Sequence, residues 1–318
     1  MMTTAFAEKR VAFVVGIDTY DNLAVTDQLK NAVNDAKAVA VQLRGLGFKV
    51  NLGTNLTRTE FNVLWDETLT QVEGGETLVV FFSGHGVELE GQNYLLPRDV
   101  PYTQQGRSTL LQRESLSLNI LLDDLSMGDR LHPKVSVVML DACRDNPFVP
   151  KGLRAVGAHG GLASVEAPDG IFVIYAAASQ TTAFDRLPNE TETANSLFTR
   201  TLLPLIGRAD LSIQELSTKV KNDVWTLADQ AGYAQRPTYY DGVIGRFCLP
   251  GCAAAVPGSS GHRTASRYRK LPSQEDEAKR LERKSGPRAG PSPPLPPSVP
   301  GTGPDRTPPS LPLGLTVQ

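Results

Sequence analysis

The sequence predicts an α/β fold in which helices cover both faces of a mostly parallel sheet. Three observations lead there. Short apolar runs recur without polar alternation, the pattern of strands buried on both sides. Segments with helical spacing separate them. Turn and cap residues fall between the two kinds of segment.

Arg10 to Gly16 (VAFVVG) reads as the first buried strand, closed by turn chemistry at Asp18-Thr19-Tyr20-Asp21. From Leu29 to Leu43, residues Leu29, Val33, Ala36, Ala40 and Leu43 fall on one helical face, and Gly45 and Gly47 mark its end. Phe48 to Leu52 is a second short strand. Thr57 followed by Glu60 is a capping box opening a helix that runs to about Val72, before Gly74-Gly75. Thr77 to Ser83 (TLVVFFS) is the next strand. A loop-rich stretch precedes a helix over Ser117 to Leu125 and a strand over Val135 to Leu140 (VSVVML). Ile171 to Ala177 is a further strand, Ser196 to Ile206 and Ile213 to Leu227 are helices, and Val243 to Leu249 closes the pattern as a strand.

This organisation covers residues 8–250 as one domain. Beyond it the composition changes: residues 286–312 hold 11 of the 23 prolines, and residues 262–288 hold nine Lys or Arg against four acids. Such a segment buries too little apolar surface to offset the entropy of ordering, so residues 253–318 are expected to form a disordered, basic and Pro-rich tail. Its proline spacing around Pro291 to Pro300 could serve a domain that binds polyproline, although a plain tail needs no such partner.

The bulk numbers exclude several classes. A hydrophobic fraction of 40% supports a sizeable core, and no apolar run is long enough to span a bilayer. A formal charge of −2 provides no electrostatic basis for a nucleic-acid partner. Three cysteines are too few for a disulfide framework. Cys248 and Cys252 lack zinc spacing, and could pair only in an oxidising compartment. Read from Met1, the chain has no signal peptide and is expected in the cytoplasm. Ala5-Phe6-Ala7 nevertheless resembles a cleavage site, and an earlier start would make the protein periplasmic or secreted.

Two loops are expected to carry the chemistry, each at the C-terminal end of a buried strand, where α/β sheets collect ligands. The first is Phe82-Ser83-Gly84-His85-Gly86, whose glycines would allow a tight turn and the close approach of a substrate backbone. The second is Asp141-Ala142-Cys143-Arg144-Asp145. Taken singly, His85 could be a turn residue bonded to backbone, and Cys143 a space-filling thiol. Together they make a nucleophile and its base, since a thiol with pKa about 8.5 is only a few per cent thiolate at neutral pH and needs activation.

This pairing of SGHG with a later DACR resembles the caspase-like cysteine peptidases, in particular metacaspases and bacterial orthocaspases. VAFVVGIDTY, AVNDAKAVAVQL, YLLPRDV, IYAAASQTTAFD, NSLFTRTLL and QRPTYYDGVIGRF extend the likeness over residues 8–250. The resemblance implies a caspase-like three-layer sandwich and an endopeptidase acting on proteins or peptides. It implies His85 as general base, Cys143 as nucleophile, and the backbone N–H groups of Gly86 and Cys143 as oxyanion donors. It places Asp141 in a pocket for substrate Arg or Lys, with Ser179 also touching substrate and Asp35 or Asp27 as a second pocket acid. Lys151 and Arg154 would then be candidate self-cleavage sites.

No cofactor is expected. Asp123-Asp124 does not carry over the calcium-ligand spacing of some metacaspases and reads as a solvated helix face. His132 and His159 read as turn and loop residues. Two other readings remain: a catalytically silent caspase-like module that binds or scaffolds, and a different cysteine hydrolase, such as an amidase, using the same dyad.

Overall fold

The computed structural model describes residues 9–72, 76–103, 108–126, 133–143, 167–178, 183–187, 190 and 194–253, with Cys143 described by its backbone. The expectations for the 253–318 tail beyond Ala253, and for Ser179, Lys151, Arg154, His132 and His159, lie outside the described residues.

Six strands form the main sheet in the order β2-β1-β3-β6-β7-β8. They are β1 (Arg10–Gly16), β2 (Lys49–Thr54), β3 (Thr77–Leu89), β6 (Val135–Cys143), β7 (Ile171–Tyr175) and β8 (Thr238–Asp241). All neighbours run parallel except β7 and β8. Two short strands, β4 (Gln92–Leu95) and β5 (Leu116–Ser117), hang antiparallel from the far end of β3.

Alternation along the central strands assigns their side chains to two cores. Phe13, Leu78, Val80, Phe82, Val138 and Leu140 face one layer, built by α2 (Arg58–Leu69) and α4 (Leu118–Ser126), with Phe61 and Trp65 packed edge-on against Phe13. Ala12, Val14, Val79, Phe81, Val137 and Met139 face the opposite layer of α1 (Ala32–Gly45), α5 (Leu197–Leu202) and α6 (Ile213–Gln230). Strands buried on both faces need apolar residues at successive positions, which is why these runs showed no alternation. The full capping box at Thr57 and Glu60 starts α2, and a second one, at Ser212 and Glu215, starts α6.

Several boundaries differ from the sequence reading. The stretch read as loop-rich holds β4, α3 (Ser108–Glu114) and β5. The first long helix begins at Ala32, because the Asp185 carboxylate takes the N–H groups of Lys30 and Asn31 just before it. The helix expected to Ile206 ends at Leu202. Val243 to Leu249 is not a strand: the last strand is β8, and Ile244 is exposed. Gly242 still exchanges backbone hydrogen bonds with Gly170 and Ile171 where β7 begins, and the next residue, Val243, gives its N–H to the Asp241 side chain and not to a strand.

Further along, Cys248 and Cys252 are joined in a disulfide with Cα atoms 4.9 Å apart. Gly251 closes that small loop at φ +90°, a conformation that costs glycine little. Among the described residues no helix is long and apolar enough to cross a membrane.

Gly16 is the tightest contact between sheet and helix. A Cβ there would run into the Ala32 carbonyl and meet the Ala36 Cβ at 2.8 Å. The backbone of α1 cannot yield to a methyl group. Gly16→Ala is therefore expected to destabilise the domain by about 1–3 kcal/mol or more. A urea melt with an unchanged midpoint would contradict that packing.

Candidate active site

Where they are described, the two expected loops are strand, and Arg144 and Asp145 of the second lie outside the described residues. Ser83, Gly84, His85 and Gly86 continue β3 without a break, and Asp141 to Cys143 continue β6. Neither Gly84 nor Gly86 adopts a positive φ, so the tight turn expected there is absent. Gly84 is needed for a different reason: a Cβ would meet the Phe82 ring at 2.8 Å and the Tyr20 hydroxyl at 3.0 Å. Beyond the point where β1 ends, β3 keeps β6 on one side and gains β4 on the other.

The register of these extensions sets the site. Ser83 pairs with Asp141, Gly84 with Ala142, and His85 with Cys143. Parallel neighbours lie about 4.8 Å apart, so the backbone of Cys143 runs directly beside that of His85.

His85 is 7% exposed and held from three directions. Its N–H donates to the Tyr20 hydroxyl at 2.6 Å, and its ring centroid lies 4.8 Å from that of Tyr20. Its Nε2 lies 2.7 Å from the carbonyl oxygen of Asp27. A carbonyl only accepts, so Nε2 carries the proton and the neutral ring keeps its basic lone pair on Nδ1. Asp27 belongs to a 3-10 turn, Val25–Asp27, between β1 and α1. The chain reverses its winding between β1 and β3, and such a switch point opens a crevice at the strand ends. That crevice is where this turn meets His85.

Gly86 lies opposite Leu95 of β4. Leu96 N–H donates to the His85 carbonyl at 2.9 Å. In an antiparallel ladder this makes Gly86 and Leu95 a non-hydrogen-bonded pair, so β4 does not use the Gly86 N–H. That donor is directed away from β4, towards the β6 side.

Beneath the dyad lies a cluster of carboxylates. Asp35 of α1 is 0% exposed, accepting from Ser83 Oγ at 3.2 Å, Asn195 Nδ2 at 2.9 Å and Ser196 N–H at 3.0 Å. Asp141 is 6% exposed; its Oδ2 accepts from Ser196 Oγ and from Thr199 Oγ1 at 2.9 Å. Its Oδ1 makes no hydrogen bond to the described residues. Ser196 thus bridges the two acids. Burial pushes the Asp35 carboxyl up to about 8, with Asp141 repelling its charge, and burial pushes Asp141 up to about 6. Asp185 is raised as well, chiefly by burial, and its charge bears on both.

Of the two acids considered beside Asp141, the structure brings Asp35 to it. Asp27 instead offers its carbonyl to His85. Tyr20 and Asp185 were not singled out from sequence, although both lie in segments that carried the resemblance. Asp123 and Asp124 are exposed, and Asp124 accepts from Trp65 Nε1 at 2.8 Å. Among the described residues, no group of His, Cys, Asp and Glu could hold a metal ion.

A family model described as the caspase domain, from a family of peptidases, matches residues 9–247. The chain belongs to the caspase-domain family of cysteine peptidases. Among curated proteins this caspase domain is 28% identical, over 138 residues, to mucosa-associated lymphoid tissue lymphoma translocation protein 1 of Homo sapiens and to its Mus musculus homolog. Each match covers 43% of this chain and 15% of the relative's own length. The caspase domain also superposes on the crystal structure of caspase-1 from Spodoptera frugiperda, with a TM-score of 0.53 and 15% identity. That likeness spans 78% of this chain and 92% of the other, and it establishes the fold.

Proposed function

We propose that this protein is an endopeptidase of the metacaspase and orthocaspase kind, cutting after Arg or Lys with His85 and Cys143 as its dyad. The observation that carries this reading is the register that sets the two residues side by side on adjacent strands. Cys143 Sγ attacks the scissile carbonyl, and its proton passes to His85 Nδ1, directly or through the arriving substrate. The oxyanion that forms is met by the N–H groups of Gly86 and Cys143, each such donor typically contributing ~3–4 kcal/mol in the transition state. Collapse breaks the C–N bond, with His85 returning the proton to the leaving amine. Water then hydrolyses the thioester.

Specificity for a basic residue is supported by the acids. Asp35, Asp141 and Asp185 are crowded together, and each holds its proton above the usual carboxylate range. A guanidinium or ammonium entering there would relieve that repulsion. It would find the Asp141 Oδ1 ready for a charge-assisted hydrogen bond. Ser179, beyond the described residues, is the remaining candidate for substrate contact.

The test is a peptide-library profile of the purified protein beside a Cys143→Ala control. Cleavage after Arg and Lys, absent in the control, is the expected result. Cleavage after Asp would overturn the assignment of the acidic pocket.

A further inference from the structure

Tyr20 and Asp27, which together hold His85, both belong to the connection between β1 and α1. Leu23 and Leu29 of that connection pack against the core, but most of its length is not held by burial. Asp21, Asn22, Ala24, Val25 and Thr26 are exposed, Val25 at 90%. Its form therefore depends on hydrogen bonds made across it.

One side chain joins the two limbs. Gln28 Oε1 accepts from the Tyr20 N–H at 2.6 Å, while Gln28 Nε2 donates to the Tyr20 carbonyl at 2.9 Å and to the Leu23 carbonyl at 3.1 Å. A side-chain amide has an acceptor oxygen and two N–H donors, so both ends of this one are engaged. Turned over, it would set its oxygen against two carbonyls and its donors against an N–H, so it can face only one way. The two bonds to the Tyr20 main chain copy the exchange between facing residues of an antiparallel ladder. The backbone supplies the next rung, with the Leu29 N–H donating to the Asp18 carbonyl at 3.0 Å. The two limbs of the loop are thus zipped together at its neck.

What the zip fixes is the base. Tyr20 is the residue clamped, and its hydroxyl and ring both meet His85. Asp27 directly precedes Gln28, and its carbonyl lies 2.7 Å from His85 Nε2. The short turn that carries this carbonyl closes on Ala24, whose own carbonyl takes the Asp27 N–H at 2.9 Å. Gln28 itself makes no hydrogen bond to His85, Asp35, Asp141 or Asp185. Its influence on the site therefore passes through Tyr20 and Asp27. A shift of about 1 Å in those partners would let the imidazole swing, and misplacement on that scale can slow a reaction by about a hundredfold.

We propose that Gln28 is a positioning residue for the catalytic base, its amide locking the loop whose Tyr20 and Asp27 keep the imidazole turned to serve Cys143. The inference rests on the peptidase reading for what His85 does. It places control of the base on a side chain that belongs neither to the dyad nor to the acidic pocket.

The test uses the full chain carrying Gln28→Ala or Gln28→Glu. An ionised glutamate keeps the size and an acceptor for the Tyr20 N–H, but has no donor for the carbonyls. It also carries the test should the alanine variant not fold. With peptides presenting Arg at the cleavage point, kcat should fall about tenfold to a hundredfold, with KM within about threefold of wild type. A second measurement does not depend on turnover. The chain has four histidines, and His85→Ala identifies the His85 ring signals in nitrogen–proton NMR spectra. The His85 Nε2 proton, held by the Asp27 carbonyl, should exchange with water at least about tenfold faster in both variants, because the loop opens more often. Wild-type kcat in the variants, or a loss confined to KM, overturns the clamp and leaves the peptidase reading intact. A fall in kcat with the ring proton unchanged also overturns it, since the effect then bypasses the base. Faster exchange in the variants, with no cleavage by the wild type, supports the clamp and removes the peptidase reading.

Discussion

Turnover is expected to fall by at least a thousandfold in both Cys143→Ala and His85→Ala, the scale on which enzymes lose activity when a nucleophile or its base is removed. Each variant should keep its fold. Cys143 sits at the last position of β6, and alanine retains the backbone bonds of that strand. His85→Ala keeps the N–H that donates to Tyr20, because that contact is made by the main chain. The double variant should be no worse than either single one, since the two residues act as a unit. Circular dichroism and a urea midpoint near that of the wild type would verify the fold. Residual activity within tenfold of wild type, in protein free of contaminating peptidase, would dismiss the dyad.

The second large effect belongs to the buried acids. Asp141→Ala should lower kcat/KM for Arg substrates by more than tenfold, because removing one member of a desolvated charge pair costs ~2–5 kcal/mol. Asp141 also anchors Ser196 and Thr199 at the start of α5, so alanine disturbs packing too. Asp141→Asn separates the two effects: it can still accept from a hydroxyl but carries no charge. If Asp141→Asn cleaves after Arg as well as wild type does, Asp141 has only a structural role.

The same acids predict a pH dependence of stability. Asp35 and Asp141 hold their protons to about 8 and about 6, while an unfolded Asp releases its proton near 3.8. Between that value and the folded ones the native state binds more protons than the unfolded state. Stability from these groups therefore falls as pH rises from about 4 to about 8. Asp35→Asn should flatten that decline. A wild type whose urea midpoint does not change over this range, with the variant identical to it, would contradict the clustering.

Much of the fold was legible because the central strands are buried on both faces and so are uniformly apolar. The end of β3 was not. Ser83-Gly84-His85-Gly86 has the composition of a turn, and only tertiary pairing with β6 and β4 makes it a strand. Val243 to Leu249 failed the other way, apolar enough for a strand yet without a partner, because Gly242 already stands opposite Ile171, where β7 begins. In the site, His85, Cys143 and Asp141 were readable because each is a reactive side chain at a strand end. The Asp27 carbonyl was not, since a main-chain acceptor leaves no trace in residue identity. Asp185 was hidden because an acid that ends in a buried cluster looks, in sequence, like any polar loop residue.

The extension of β3 and β6 past the edge of β1 also bears on how such a site can diversify. Fixing one residue's backbone costs about 1–2 kcal/mol of conformational entropy. Here that cost is met when the sheet forms, so the base is already in place when a peptide arrives. Segments around the rim can then be lengthened, shortened or recharged without disturbing the spacing between base and nucleophile. Divergence in what is recognised is thereby uncoupled from the geometry that breaks the bond.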